Sequence, residues 1–412
     1  MGMHDTVTHM GMDCHKNFSR VTARDAHGKV VWRQRLEHRD RAGMRRQLQQ
    51  WPKVPVVLEG TFGWGWVSDE LTQAGQEPHL SSGRKVAAWR DARGIAKSNK
   101  LDADLLSELW PQQQRWWEVW LAPPEVRDQR EWLRYRMTLV RMQTGIKNRI
   151  HATFHRHGIF FDESDLFGKA GVKLLEALID PDDPTLRDST RKTLEGYLTL
   201  LKTLRQQIAE VTRQLRRQVR QSIEGELWRS LPGISWVLAY TIAAEVGQIK
   251  RFKSNQNLAS YSLLAAIASD SGEEDRGTPI GRHVGHIGRV TLKWAFIAAA
   301  RNAVRKDLQF KAVFDRRTDC GKKDKGRGYI AVARHLCRIG FSCVSKQRPY
   351  SSQRPARPGT AAAVGTATRS REKDKDPLKE KTNALIEDAS TSDPTSRPGM
   401  GQSDRSLVAA DL

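Results

Sequence analysis

A long run of apolar residues, spaced three and four apart, most limits how this chain folds. The run consists of Leu194, Tyr197, Leu201, Leu204, Ile208, Val211 and Leu215. Such a heptad seam, with Arg and Gln outside it, predicts a long helix whose apolar side needs a partner. A second long, charged helix is predicted over 125–159. The pair forms an antiparallel coil, a dimer seam or two core helices of a bundle.

The front of the chain has a different pattern. Residues 8–37 indicate two or three strands broken by a turn at "DAHGK", and "VPVVLEG" predicts a buried strand rich in β-branched residues. Helices are predicted over 41–51, 64–75 and 100–110. Strands mixed with helices in this way predict an α/β domain with a mixed sheet covered by helices.

The sequence predicts a compact helical segment from Leu231, and its composition changes after Tyr350. Beyond that point Ser, Pro, Gly, Thr and charged residues dominate, which is typical of a disordered tail. The predicted fold is therefore α/β plus α. Its parts are a mixed-sheet domain over 1–122, long coiled-coil helices over 123–225, a small mostly helical domain over 226–350 and a tail over 351–412.

The charge of the chain limits its partners. With 69 Lys and Arg against 47 Asp and Glu, the net charge is +22, which is typical of proteins that contact a polyanion such as nucleic acid. No apolar run approaches the length of a membrane span, and the N-terminus lacks the apolar core of a signal peptide. The four cysteines form no C-x-x-C pair, which argues against a zinc site and fits a reducing cytoplasm.

Carboxylates near the predicted strand and helix ends are the candidate metal ligands. Asp13 follows a short strand, Glu59 closes "VPVVLE", and Asp102 and Asp104 stand near a helix start. Each alone fits a surface or helix-capping acid. Together, in a basic chain, they indicate a divalent-metal site that acts on phosphodiesters.

These motifs resemble a known family. "GMDCHK", "VVLEGTFGWGW" and "KSNKLDADLL" are similar to the N-terminal domain of DEDD transposases of the insertion-sequence one-ten type. "LPGISWVLAYTIAAEVGQIKRF", "ASYSLLAAIASDSG" and "GHIGRVTLKWAF" follow the family's C-terminal transposase domain in order. The resemblance covers about residues 9–350. It implies a RuvC-like, RNase H-like first domain and a recombinase that excises and inserts its own element.

The resemblance also implies site residues. The family's first acid falls on Asp13, its glutamate on Glu59 and its last acid on Asp102, and together they would bind Mg²⁺ or Mn²⁺. The third acid of the family pattern is replaced by Asn99. Either Asp104 compensates, the metal is bound more weakly, or this copy is impaired.

The family's nucleophile is a serine that stands directly before a glycine. Counting from Tyr261 brings this position to Ser271, and Ser269 is a nearby competitor. A serine that joins DNA conserves the phosphodiester energy, so strands are rejoined without a cofactor. The family's "G-L-x-P" is "LLAA" here, from Leu263 to Ala266.

The resemblance and the charge pattern together predict the partners. Arg276, Arg282, Arg289 and Lys293 follow the serine and are expected to contact DNA phosphates. The family implies element and target DNA, a guiding non-coding RNA, a homodimer or tetramer, and a place at the prokaryotic nucleoid. Two alternative functions stay open: a decayed, non-catalytic nucleic-acid-binding protein, and a RuvC-like metal nuclease without a serine link.

Overall fold

A computed structural model describes residues 7–95, 99–112, 115–161, 165–182, 184–267, 283–284, 288–322 and 324–351. The front of the chain forms a six-stranded mixed sheet of order β3-β2-β1-β4-β5-β6. The strands are β1 His9–Cys14, β2 Phe18–Arg24, β3 Val30–Glu37, β4 Pro55–Glu59, β5 Glu77–Ser81 and β6 Glu118–Val119. β1, β4 and β5 run parallel. β2 pairs antiparallel with β1, β6 pairs antiparallel with β5, and the edge strand β3 pairs antiparallel with β2.

Helices cover both faces of this sheet. These helices are α1 Arg41–Gln49, α2 Trp64–Gln73, α3 Gly83–Ala92 and α4 Asn99–Ser107. Met10, Met12, Val56 and Leu58 point to one face and pack in a core with side chains of α1 and α2. Val57 points to the other face, into a core with side chains of α3 and α4. The two cores follow from the alternation of side chains along each strand.

Two long helices follow the sheet and pack against each other. α5 Pro124–Arg156 and α7 Asp188–Gln221 run antiparallel, with α6 Lys169–Leu178 beside their far end. Tyr135 of α5 donates a hydrogen bond to Gln207 of α7 at 3.3 Å. The apolar seam of α7 is covered within the chain, because its residues lie in cores shared with α5.

The rest of the described chain is mostly helical and shares one large core. Its helices are α8 Ile223–Arg229, α9 Trp236–Val246, α10 Asn255–Tyr261, α11 Val290–Lys306, α12 Leu308–Thr318 and α13 Lys325–Ser345. Two short strands, β7 Ala266–Ile267 and β8 His283–Val284, pair antiparallel. α9, α11 and α13 supply most of the buried aliphatic side chains of this core.

The α/β plus α fold class is confirmed. The strands predicted over 8–37 and 54–60 and the helices predicted over 41–51, 64–75, 100–110 and 125–159 are all present. The limits at 122, 225 and 350 stay predictions. The tail predicted over 351–412 lies outside the described residues apart from Ser351.

Gly11 gives the first testable prediction. A Cβ at Gly11 would overlap the backbone of Ser107 and Ala103 in α4. We expect Gly11→Ala to lower the free energy of unfolding by about 3 kcal/mol, since neither backbone moves easily. Urea denaturation followed by circular dichroism measures the change.

Gly196→Ala is the matched control, because Gly196 lies within α7 and a Cβ there meets nothing within 4 Å. It should stabilise the protein slightly, by up to about 1 kcal/mol. Equal stability of the Gly11→Ala variant and the wild type would show that α4 does not lie on β1 as described.

Candidate active site

Asp13 and Glu59 stand next to each other at the ends of two parallel strands. Met12 of β1 pairs with Leu58 of β4, so the next residue on each strand is one of the two acids. Side chains alternate along a strand, and therefore Asp13 shares a face with Gly11, as Glu59 does with Val57. Both acids thus point to the face covered by α3 and α4, on strands about 4.8 Å apart.

The two carboxylates lie in different surroundings. Asp13 is 6% exposed, and its Oδ2 lies 3.0 Å from Nε2 of His15. Glu59 lies against the start of α3, where a Cβ at Gly83 would overlap its Oε1. The absence of a side chain at Gly83 therefore makes room for this carboxylate beside the positive end of a helix.

The thiol of Cys14 responds to both acids. Burial raises the pKa of Cys14 to about 12, and the negative charges of Asp13 and Glu59 act in the same direction. A buried thiolate is unfavourable beside two carboxylates. Both acids therefore contribute to the negative potential at the end of β1.

Helix α4 carries the other two candidate acids on different sides. Asp102 turns toward α3, where its Oδ1 lies 3.9 Å from Nη1 of Arg90. Asp104 turns toward β2 and β3 and accepts hydrogen bonds from Thr22 at 2.7 Å and from Nε and Nη2 of Arg33 at 3.0 and 2.9 Å. Burial alone would raise the pKa of Asp104, but these hydrogen bonds and the charges of Arg33 and Arg24 hold it below its ordinary value.

The arrangement brings Asp13 and Glu59 together and assigns Asp104 to an ion pair. Across the part of the chain that the structure describes, no three His, Cys, Asp or Glu side chains already stand at ligand distance from one point. Of the candidates in the second half, Ser271, Arg276 and Arg282 lie outside the described residues. Arg289 and Lys293 lie at the start of α11 and one turn into it.

Comparison with known proteins identifies the chain. A family model described as the DEDD transposase of IS110 matches residues 10–159, and one described as the transposase of the IS116/IS110/IS902 family matches residues 225–315. The two matches cover the acids and the helical second half in the expected order.

The chain belongs to the IS110 family of DEDD transposases.

Bacterial relatives agree with this assignment. The transposase of insertion sequence IS1328 from Yersinia enterocolitica is 25% identical over 65% of this chain and 76% of its own. A probable family 20 transposase of Pseudomonas aeruginosa is 24% identical over 73% and 85%, respectively. The transposase of IS1111A from Coxiella burnetii is 21% identical over 83% and 90%. This chain is thus a transposase, an enzyme that acts on DNA.

The family implies a divalent metal, and the donor types in this IS110 transposase fit one. Oxygen atoms of carboxylates are the ligands that Mg²⁺ and Mn²⁺ prefer. Asp13 and Glu59 share a sheet face, and the carboxylate of Glu59 occupies the space that a side chain at position 83 would take.

Among the helices that the structure describes, none has both the length and the apolar character that a membrane span requires.

A buried ion network holds Arg289 at the start of α11. Oε2 of Glu245 lies 3.6 Å from Nη1 of Arg289 and 3.9 Å from Nε of Arg130. Arg130 also donates hydrogen bonds to the carbonyls of Ala244 and Glu245, both at 3.0 Å. Burial lowers the pKa of Arg130, and the nearby charge of Arg289 lowers it further.

Local sequence patterns did not reveal this network. Arg130 and Glu245 stand 115 positions apart in the chain. One signal was present: Glu245 is the only acid in the apolar sequence of α9, "WVLAYTIAAEV". A lone carboxylate in such a helix needs a buried partner, since an unpaired buried charge is costly.

Gly83 gives a prediction that tests the position of Glu59. We expect Gly83→Ala to lower excision of the element from a plasmid at least tenfold, because the new methyl group displaces the carboxylate of Glu59. Stability should change little, because alanine suits a helix better than glycine. Excision is measured by amplification of the repaired plasmid junction.

Ser82→Ala is the control, since Ser82 precedes α3 and its side chain makes no capping hydrogen bond. It should leave excision unchanged. Full excision by the Gly83→Ala variant would mean that the position of Glu59 does not matter for the reaction.

Proposed function

We propose that this transposase cuts and rejoins DNA through a covalent link to Ser271, with Asp13, Glu59 and Asp102 holding a divalent cation. The observation that carries the proposal is the pairing of Asp13 and Glu59 on one face at neighbouring strand ends. The match over 225–315, which includes Ser271, supports the serine.

Asp13, Glu59 and Asp102 would hold Mg²⁺ or Mn²⁺. When bound, such a cation neutralises negative charge that develops on the oxygens around phosphorus. Asp104 has a different role in this proposal. Arg33 and Thr22 already engage its carboxylate, so it ties α4 to β2 and β3 and is not one of the proposed metal ligands.

The proposed chemical step exchanges one phosphodiester for another. The hydroxyl oxygen of Ser271 bonds to phosphorus and gives its proton to a base, and the P–O bond to the departing strand breaks. The departing oxygen takes up a proton, so the products are a phosphoserine ester and a free hydroxyl end. The reverse exchange with another strand end rejoins the DNA and restores the serine.

The basic residues around α11 would hold the phosphate. Glu245 fixes one side of the Arg289 guanidinium, and 37% of that side chain stays exposed to a ligand. Lys293 lies one turn further on, and burial lowers its pKa. Arg276 and Arg282 complete the proposed set of phosphate contacts, because they follow Ser271 in the sequence.

The proposal includes a guiding RNA and an assembly of two or four chains at the nucleoid. The RNA, the assembly and the nucleoid location are proposed from the resemblance to the family. The exposed basic residues of α5 support this part of the proposal, because they offer phosphate contacts along a long helix.

The covalent link gives the central test of this function. Ser271→Ala should abolish a DNA adduct that survives denaturation, since no hydroxyl remains at this position, while DNA binding persists. The adduct is detected as a shift of radiolabelled DNA with the protein in a denaturing gel.

Ser269→Ala is the matched control and should form the adduct. An adduct that persists in Ser271→Ala would refute the assignment. Cleavage without any adduct, lost in Glu59→Gln but not in Ser271→Ala, would favour the metal nuclease.

A further inference from the structure

Three arginines surround one tryptophan ring on the surface of the helical half. The ζ carbons of Arg216 and Arg220 lie 5.1 Å from the ring centroid of Trp236, and that of Arg229 lies 4.4 Å away. We call these four residues the Trp236 cluster. Its members come from α7, α8 and α9.

The backbone fixes the ring at the centre of this cluster. Trp236 is the first residue of α9, and the side chain of Ser235 accepts a hydrogen bond from the backbone N–H of Leu238. Gly233 has a φ of 81°, and a Cβ there would overlap the backbone of α11 at Ala299 and Ala303. The turn that precedes Trp236 is therefore seated on α11, and the backbone from which the indole extends is held in place.

Helix α7 presents two of the arginines in register with the ring. Leu215 and Val219 are buried in the core of the helical half. Arg216 and Arg220 follow them directly and are exposed. A spacing of four residues puts the two arginines on one side of the helix, about 6 Å apart along its axis.

The cluster carries more positive charge than its neighbours neutralise. Nη2 of Arg229 lies 2.8 Å from Oε2 of Glu226. Among the residues that the structure describes, no carboxylate lies within ion-pair distance of Arg216 or Arg220. One guanidinium is enough to cover one face of an indole. Three that converge repel one another unless an anion lies between them or beside them.

We propose that the Trp236 cluster binds the phosphodiester backbone of duplex DNA, with Arg216 and Arg220 as the contacts and Trp236 as the residue that positions them. The inference rests on the proposed function only in that the protein must hold DNA while it reacts. Guanidinium groups fixed on an aromatic ring lose little side-chain freedom when they bind phosphate. Membership of a transposase family makes DNA the polyanion.

The experiment measures binding of the full-length protein to a fluorescent 30-base-pair duplex by anisotropy, over a series of KCl concentrations. The double variant R216Q/R220Q should bind about tenfold more weakly near 0.15 M salt. Its slope of log affinity against log salt is negative and should become less steep by about 1.8, which is about 0.9 for each phosphate that the variant no longer neutralises.

Arg213→Gln is the matched control. Arg213 is exposed on the same helix but is paired with Glu210, so its loss should leave the slope unchanged. Trp236→Leu should weaken DNA binding although all three arginines remain. Trp236→Phe, which keeps an aromatic ring, should bind DNA as the wild type does. A thermal melt of each variant separates loss of binding from loss of fold.

The same titrations with an RNA hairpin of matched length identify the partner. Weaker binding to DNA, with or without an equal effect on RNA, supports the proposal, whereas an effect confined to RNA overturns it. An unchanged DNA slope in R216Q/R220Q also overturns it. All titrations are repeated in a Ser271→Ala background. The DNA-binding result can then be interpreted even if the proposed serine chemistry is wrong.

Discussion

The contact between Gly11 and helix α4 is the constraint on which the rest of the front half depends. Because Gly11 has no side chain, the backbone of α4 lies directly on the central strand. This contact fixes α4 on the sheet face that carries Asp13 and Glu59. It also turns Asp104 to Arg33 and Asp102 to Arg90. A single glycine therefore decides which acids of this helix stand near the strand ends.

The helical half depends on a buried charge rather than on a glycine. Glu245 lies between Arg130 of α5 and Arg289 at the start of α11. Its environment is nearly closed to water, with 5% of the residue exposed. Removal of its carboxylate would leave the buried guanidinium of Arg130 without a compensating charge. Through these contacts, Glu245 of α9 links α5 to the start of α11. Arg289 is one of the basic residues that we propose to hold the reacting phosphate.

The sequence predicted local elements well and long-range contacts poorly. β4 was evident from its β-branched residues, and α2 was predicted as a helix ended by Gly75. Strand β5, "EPHLS", and helix α3 were not predicted, because β5 is short and polar and gains its place from pairing with β4. Asp102 and Asp104 look equivalent in the sequence, yet residues two positions apart on a helix point to different sides. The ion pair between Arg33 and Asp104 and the room at Gly83 depend on packing between segments distant in the chain, which local patterns do not encode.

The central claim is that Asp13 and Glu59 jointly hold a divalent cation. Titration of the full-length protein with Mn²⁺, with the free ion followed by electron paramagnetic resonance, tests it most directly and requires no DNA. We expect Asp13→Asn and Glu59→Gln each to weaken Mn²⁺ binding at least tenfold, whereas Asp104→Asn should bind Mn²⁺ as the wild type does. Wild-type binding in Glu59→Gln together with loss in Asp104→Asn would contradict it.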